Sequence, residues 1–382
     1  MNGIKRKLLG DFSKDLFKGK AILLYGPRQC GKTTLVRQLI EKHGLDPVML
    51  NGDDDLDVGV FQTVTANRWV QILGNKKSVF VDEGQKIPNL GRAVKLLVDS
   101  RPEIQVIVTG SSSFALANSM EEPLTGRKFA YRLFPLSYSE LSSHFGFLEE
   151  KKNLELRLLY GSYPEVVLSG DEMKNTIKSI AESYLYRDLM QYEGIRKPAL
   201  LEKLLKALAL QCGSEVSTTE LAGLLGVSRT LIESYLKILE QAFIIFPLNS
   251  YSTNQRNEIK KGVKYYFFDN GMRNAVLNDF TPISMRNDVG ALWENYLVSE
   301  RLKRNTYGKA DGLPYFWRTT DQMEVDYIEV TGSKIEAFEF KWNPNKKKRV
   351  TKAFTNRYPD ATVATITPDN YDEFCTTWQE LR

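Results

Sequence analysis

The run Gly26-Pro27-Arg28-Gln29-Cys30-Gly31-Lys32-Thr33 constrains this chain more than any other feature. It fits G-x-x-x-x-G-K-[ST] at every fixed position. An apolar run, 21–25, precedes it and reads as a buried strand, and a helical pattern follows over 33–42. Gly26 and Gly31 let the backbone turn tightly, so that successive N–H groups point at one anion. The N-terminus of the helix adds positive potential at the same place. Lys32 supplies a full charge for β- and γ-phosphates, and the Thr33 hydroxyl is placed to coordinate Mg²⁺. With Pro27, Arg28, Gln29, Cys30 and Thr34 completing the loop, the implied cofactors are ATP and Mg²⁺.

A second element fits the first. Ser78-Val79-Phe80-Val81-Asp82-Glu83 is an apolar strand ending in two acids. Asp82 suits the Walker-B role of holding Mg²⁺, and Glu83 is placed to polarise an attacking water, which argues for hydrolysis as well as binding. A further strand, 105–109, ends in Gly110, Ser111, Ser112 and Ser113. Here Thr109 or Ser111 would sense the γ-phosphate; the alternative is a plain serine-rich loop. Arg127 in Thr125-Gly126-Arg127 is either a cation for the transferring phosphoryl group or a surface arginine.

Composition excludes several other classes. With three cysteines, none in a CxxC pair, and two histidines, a disulfide framework, a structural zinc site or histidine-based catalysis has little raw material, which points to the cytoplasm. No apolar run approaches the roughly 18–20 residues that span a bilayer, so no membrane partner is expected. Net charge is +5, too mild to imply nucleic acid alone. Its distribution is less even: Lys341, Lys346, Lys347, Lys348, Arg349 and Lys352 crowd one segment, either a solvated face or a phosphate-contacting patch.

The 382 residues divide into three expected parts. Residues 1–148 alternate short apolar runs (21–25, 47–50, 79–82, 105–109, 129–133) with helical patterns, the sign of βα units on a parallel sheet. Asp53, Asp54, Asp55 and Asp57 read as a solvated loop. Residues 149–253 are mainly helical, with apolar spacing at 154–160, 174–192 and 199–210. Residues 254–382 return to mixed α/β, with strands expected at 264–268, 313–317, 324–330, 334–341 and 361–366 and an amphipathic helix at 291–303.

These motifs, taken together with Leu35, Gln85, Pro135-Leu136-Ser137, Gly161-Ser162-Tyr163-Pro164-Glu165, Arg187-Asp188, Trp293-Glu294-Asn295 and Glu324-Val325-Asp326, resemble a family of prokaryotic AAA-type ATPases. In that family the ATPase domain precedes a C-terminal domain of unknown function similar to the PD-(D/E)XK nuclease fold. The resemblance covers nearly the whole chain. It implies ATP binding, and AAA-type sites often borrow an arginine from a neighbouring subunit, so a homo-oligomer is open. The expected architecture is α/β: a P-loop parallel-sheet ATPase domain, a helical winged-helix middle and a PD-(D/E)XK-like α/β C-terminal domain.

In the middle part, Ser217 with Glu220 three residues on reads as a helix cap, Gly226 as a turn and Ser228 as the next cap. The helix from Arg229 to Glu240 carries Leu231, Tyr235, Leu236 and Leu239 on one face, and a strand-like run, 243–248, follows: a helix-turn-helix with a wing. Its bases Arg229 and Lys237 are balanced by Glu233 and Glu240, which favours a structural or protein-docking element over a DNA reader. In the last part, Asp326 falls in one strand and Glu339-Phe340-Lys341 in the next. Residues i and i+2 of a strand share a face, so Glu339 and Lys341 would point together toward Asp326. Two carboxylates hold Mg²⁺ and a lysine positions water for phosphodiester cleavage, with Glu294 as an added ligand. The alternatives are an inactive relic or edge-strand charges that discourage aggregation.

The functional expectation is an Mg-dependent ATPase acting as a conformational switch on a macromolecular partner. The alternatives are an ATP-regulated nuclease and a DNA-binding regulator. Beside ATP, DNA or another protein stays open as partner.

Overall fold

The computed structural model describes residues 3–61, 65–111, 124–189, 195, 197–252, 262–319, 321–345 and 351–376. The chain divides into two compact units, Met1–Pro135 with Gln241–Phe243, and Leu136–Glu240 with Ile244–Arg382.

The first unit is built on five parallel strands: β1 (Ala21–Tyr25), β2 (Val48–Asn51), β3 (Ser78–Asp82), β4 (Gln105–Gly110) and β5 (Lys128–Arg132), in the order β2-β3-β4-β1-β5. A parallel sheet covered on both faces needs strands apolar on both faces, and β1, β3 and β4 supply them. Ile22, Leu24, Val79, Phe80, Val81, Val106 and Val108 are all fully buried. The helix Leu90–Ser100 packs Leu90, Val94 and Leu97 into the same core, beside Trp69. β4 lies between β1 and β3, so the connections that leave β1 and β4 run in opposite directions. Such a switch point opens a crevice at the carboxyl ends of the strands.

The runs expected at 21–25, 47–50, 79–82, 105–109 and 129–133 all lie in this sheet, with ends shifted by a residue or so. Part of the acidic run 53–57 is helical. Asp54 caps the helix Asp55–Val60 by accepting from Leu56 N.

The second unit opens with the helix Tyr138–Phe145, started by a capping box of Ser137 and Glu140. Helices Phe147–Lys152, Leu154–Tyr160, Pro164–Leu168 and Met173–Ala181 follow. Over the expected helix 174–192, the α-helix ends at Ala181 and a π-helical stretch continues over Glu182–Asp188. Residues 190–192 lie outside the described residues.

Next come helices Pro198–Leu210, Thr218–Leu225 and Arg229–Gln241. Ser217 accepts from Glu220 N, Gly226 takes a left-handed C-cap, and Ser228 accepts from Leu231 N, each as the local sequence dictates. Three short antiparallel strands accompany them: β6 (Glu215–Val216), β7 (Ile245–Asn249) and β8 (Val263–Phe267), in the order β6-β8-β7. The strand at 263–267 therefore completes the sheet of the helical part, because its partners are β6 and β7.

A mixed four-stranded sheet follows, β12-β11-β10-β9, from β9 (Leu313–Arg318), β10 (Glu324–Thr331), β11 (Lys334–Phe340) and β12 (Thr362–Ile366). β11 and β12 are parallel and the other pairs antiparallel. The long helix Val289–Gly308 carries Trp293, Leu297 and the buried ion pair Lys303–Glu300. Among the described residues no helix is long and apolar enough to cross a membrane.

Candidate functional site

At the carboxyl end of β1 the chain turns through Gly26 against the segment that leaves β5. A Cβ on Gly26 would stand 2.0 Å from Leu133 O, a backbone atom, so only glycine fits. Gly31 takes φ 95°, which an L-residue with a side chain rarely adopts, and the helix Lys32–His43 begins on it. Lys32 is buried, and its ammonium donates to Gly26 O at 3.0 Å and Pro27 O at 2.8 Å. The charge is thus held inside the loop it belongs to.

Asp82 ends β3 and gathers three donors. Thr33 Oγ1 donates to Oδ2 at 2.8 Å, the Thr109 hydroxyl donates to Oδ1, and Glu83 N donates to Oδ1 at 3.1 Å. Thr109 is fully buried on β4, so the strand between β1 and β3 supplies the hydroxyl that fixes Asp82.

Glu83 takes a left-handed backbone, φ 48° and ψ 41°, which breaks the strand direction right after Asp82. A non-glycine residue in that region costs on the order of 1 kcal/mol and is kept only where its surroundings enforce it. Its carboxylate accepts from Gln85 Nε2 and, at 3.4 Å, from Ser111 Oγ; the same Gln85 amide donates to Ser111 Oγ at 3.0 Å. Glu83, Gln85 and Ser111 therefore form one small network at the ends of β3 and β4. Ser112 and Ser113 lie outside the described residues.

The donor set suits a nucleoside triphosphate with a hard cation: one ammonium, a turn of backbone N–H groups, a hydroxyl and a carboxylate. Of the residues named from the sequence, the structure brings Lys32, Thr33, Asp82, Glu83, Thr109 and Ser111 to the carboxyl ends of β1, β3 and β4.

It does not bring Arg127 there. Arg127 precedes β5, and its carbonyl accepts from Ala21 N, the first residue of β1. It thus stands at the amino end of the sheet, roughly 16 Å from the loop for a five-residue strand. Its guanidinium is ion-paired with Asp99. As a cation for the phosphate on its own chain, Arg127 does not fit.

The arginine of β5 that stands at the loop end is Arg132. It is opposite Tyr25 and packs its guanidinium 5.9 Å from the Tyr25 ring and 5.5 Å from that of Phe243. Sequence reasoning passed over it because it belongs to no motif, and its place near the loop follows only from the pairing of β5 with β1.

Residues 18–142 match the AAA domain family. This supports an ATP-binding ATPase of AAA type. Residues 151–282 and 289–374 match two domains of unknown function (DUF8612 and DUF4143). The chain is 28% identical to an uncharacterised protein of Methanocaldococcus jannaschii over 92% of this chain and 81% of that protein. It is 28% identical to an uncharacterised protein of Mycobacterium tuberculosis over 88% and 74%. A shorter match, 36% identical over 85 residues, covers 22% of this chain and 17% of the replication factor C large subunit of Thermococcus kodakarensis. Among solved structures, the ADP form of the Aeropyrum pernix ORC2 protein aligns over 73% of this chain and 95% of its own, at 13% identity and a TM-score of 0.37.

The second unit holds the other set of site candidates. The register of β10 on β11, with Tyr327 opposite Phe338, sets Asp326 beside Glu339. Asp326 Oδ2 accepts from Phe340 N at 2.7 Å. Lys341 Nζ lies 2.9 Å from Glu339 Oε2 and 3.7 Å from Asp326 Oδ2. Burial and then the Asp326 charge push the Glu339 carboxyl above its ordinary range, and the carboxylates around Lys341 hold its ammonium above its own against the effect of burial.

Glu294 accepts from Tyr266 OH at 2.6 Å and Lys264 Nζ at 3.0 Å. Burial and then the Asp326 charge, against Lys264, raise its carboxyl above the ordinary range, while its own charge in turn acts on Lys341. Lys264 is fully buried and also pairs with Glu324. Burial alone would lower its pKa, but Glu294, Glu324 and Asp326 raise it above the usual lysine range. The sequence reading missed Lys264. Among the described residues no three or more His, Cys, Asp or Glu side chains converge as a metal-holding group. Of the basic run, 346–349 lies outside the described residues.

Proposed function

We propose that the chain is an Mg²⁺-dependent ATP hydrolase whose turnover drives a conformational switch on a macromolecular partner. The observation that carries this reading is the convergence on Asp82 of hydroxyls from the P-loop helix (Thr33) and from β4 (Thr109), with Glu83 beside it. Lys32 and the loop amides would hold the phosphates, and Thr33 and Asp82 the cation. When bound, the cation would supply charge neutralisation at the phosphates. Glu83 takes a proton from the attacking water, and its carboxylate is bonded to Gln85 and Ser111. Phosphate release tests it: wild type hydrolyses ATP, and Lys32→Ala neither binds nor hydrolyses it. No uptake of Mg·ATP by the intact wild-type protein sinks the reading. Cys30, Cys212 and Cys375 are buried and in no disulfide, which suits a reducing compartment, the cytoplasm.

For the partner, the helix Arg229–Gln241 is the relevant surface. Its exposed Arg229 is paired with Glu233 at 2.7 Å, so the helix offers little net positive charge. With β7 and β8 beside it, this supports a winged helix that docks protein rather than reads DNA. Stimulation of the ATPase by DNA or RNA, and by no protein fraction, refutes that choice.

A second reading rests on Lys341, which sits within ion-pair range of both Asp326 and Glu339. This is the arrangement a PD-(D/E)XK-type phosphodiesterase uses. Cleavage of DNA or RNA by wild type with Mg²⁺ or Mn²⁺, lost in Lys341→Ala, supports it; no cleavage with or without ATP removes it.

A further inference from the structure

Arg6 lies outside every motif, two residues before the helix Leu8–Asp15. Its side chain is nevertheless buried, and it reaches two backbone carbonyls far along the chain. Nη1 donates to Cys30 O at 2.7 Å and Nη2 to Phe134 O at 2.6 Å. Cys30 is the residue before Gly31 in the phosphate loop. Phe134 follows Leu133, against whose carbonyl Gly26 closes. One guanidinium therefore ties the loop to the strand end that shapes its entry.

We propose that Arg6 is a positioning residue for phosphate binding, an inference that rests on the nucleotide reading above. The reasoning is geometric first. In a trans peptide the C=O of one residue and the N–H of the next point in opposite directions. Holding Cys30 O on Arg6 fixes the Cys30–Gly31 peptide plane and sends the Gly31 N–H to the far side. That amide stands at the start of the helix Lys32–His43, where the phosphate-binding amides of such a loop lie.

The second contribution is electrostatic. A guanidinium bonded to carbonyls keeps its full positive charge, which favours an anion in the adjoining loop. Its two parallel donors hold a fixed spacing that a lysine does not reproduce. Arg6 touches no phosphate in this scheme; it sets the geometry and field of the groups that do.

The test titrates Mg·ADP and inorganic pyrophosphate calorimetrically into the full-length wild type, Arg6→Gln and Arg6→Lys. Pyrophosphate has no base or sugar, so it reads the phosphate cradle alone. Arg6→Gln weakens both ligands by on the order of ten- to a hundredfold, the range for losing a charged buried hydrogen bond. Arg6→Lys, which keeps the charge but not the fork, falls between. Should Arg6→Gln fail to fold, Arg6→Lys decides with the same two ligands. Affinities within twofold of wild type in the folded variants overturn the proposal, as does a loss for ADP that spares pyrophosphate. A wild type that binds neither ligand fails the nucleotide reading itself, a result distinct from both.

Discussion

Thr33 donates its hydroxyl to Asp82 Oδ2 over 2.8 Å, joining the first turn of the loop helix to the end of β3. Asp82 also holds Thr109, so its two oxygens are shared between β1's loop and β4. Asparagine keeps the shape but carries no charge for a divalent cation. Asp82→Asn is expected to lower Mg²⁺-dependent phosphate release by about a hundredfold or more, since charge stabilisation of this kind supplies several kcal/mol. A titration of rate against Mg²⁺ checks it; an unchanged Mg²⁺ dependence rejects the cation role of Asp82.

Glu83 separates binding from turnover. Glu83→Gln is expected to bind Mg·ATP as wild type does and to hydrolyse it roughly 10²-fold to 10³-fold more slowly, the usual contribution of a general base. Wild-type turnover in that variant refutes the assignment. Gln85 bears on the same carboxylate, donating to it and to Ser111. Since the Gln85 donor occupies a lone pair that a water would use, Gln85→Ala is expected to raise basal hydrolysis without weakening ATP binding. A fall in rate instead assigns Gln85 to orienting Glu83 rather than restraining it.

The sheet was legible in the sequence because parallel strands buried on both faces read as unbroken apolar runs. The loop was legible because glycine, lysine and threonine at that spacing have few other uses. Arg127 misled because the five-residue run after it reveals a strand but not which end faces the loop. The pairing Ala21 with Lys128 fixes that, and pairing is non-local. Lys264 was hidden for a related reason: its partners Glu294 and Glu324 come from 30 and 60 residues away. A lysine in an aromatic strand looks exposed until those carboxylates are placed.

The two arginines of the β5 region give a paired prediction. Arg127 is tied to Asp99 at the amino end of the sheet, whereas Arg132 stands at the loop end against the stacked rings of Tyr25 and Phe243. Arg127→Ala is expected to leave ATP affinity within about twofold, because an exposed ion pair contributes at most about 1 kcal/mol. Arg132→Ala is expected to weaken Mg·ATP binding more than Arg127→Ala does, by removing a cation beside the phosphate site. Equilibrium binding on both variants, run at low and high salt, decides; a larger loss in Arg127→Ala reverses the placement argument.

The second unit carries a test of pH dependence at Asp288. Its carboxylate accepts from Arg273 Nη1 at 2.6 Å, from Arg286 Nε at 2.7 Å and from Arg286 Nη2 at 2.8 Å. Burial pushes its pKa up, but the hydrogen bonds from Arg286 and then Arg273 win and take it down to about 2. In the unfolded chain an aspartate titrates near about 3.9. A depressed folded pKa means the unfolded state binds the proton first as pH falls. The stabilisation is therefore complete above about pH 4 and is lost as pH drops toward about 2. The full shift corresponds to roughly 2.5 kcal/mol; with a third of the Asp288 side chain exposed, screening reduces this to about 1–2 kcal/mol. Denaturant unfolding at pH 5, 4, 3 and 2 is expected to show wild type losing about 1–2 kcal/mol more than Asp288→Asn over that range. Parallel stability curves for the two proteins reject the assignment, and a steeper fall in Asp288→Asn moves the acid-sensitive group to another carboxylate.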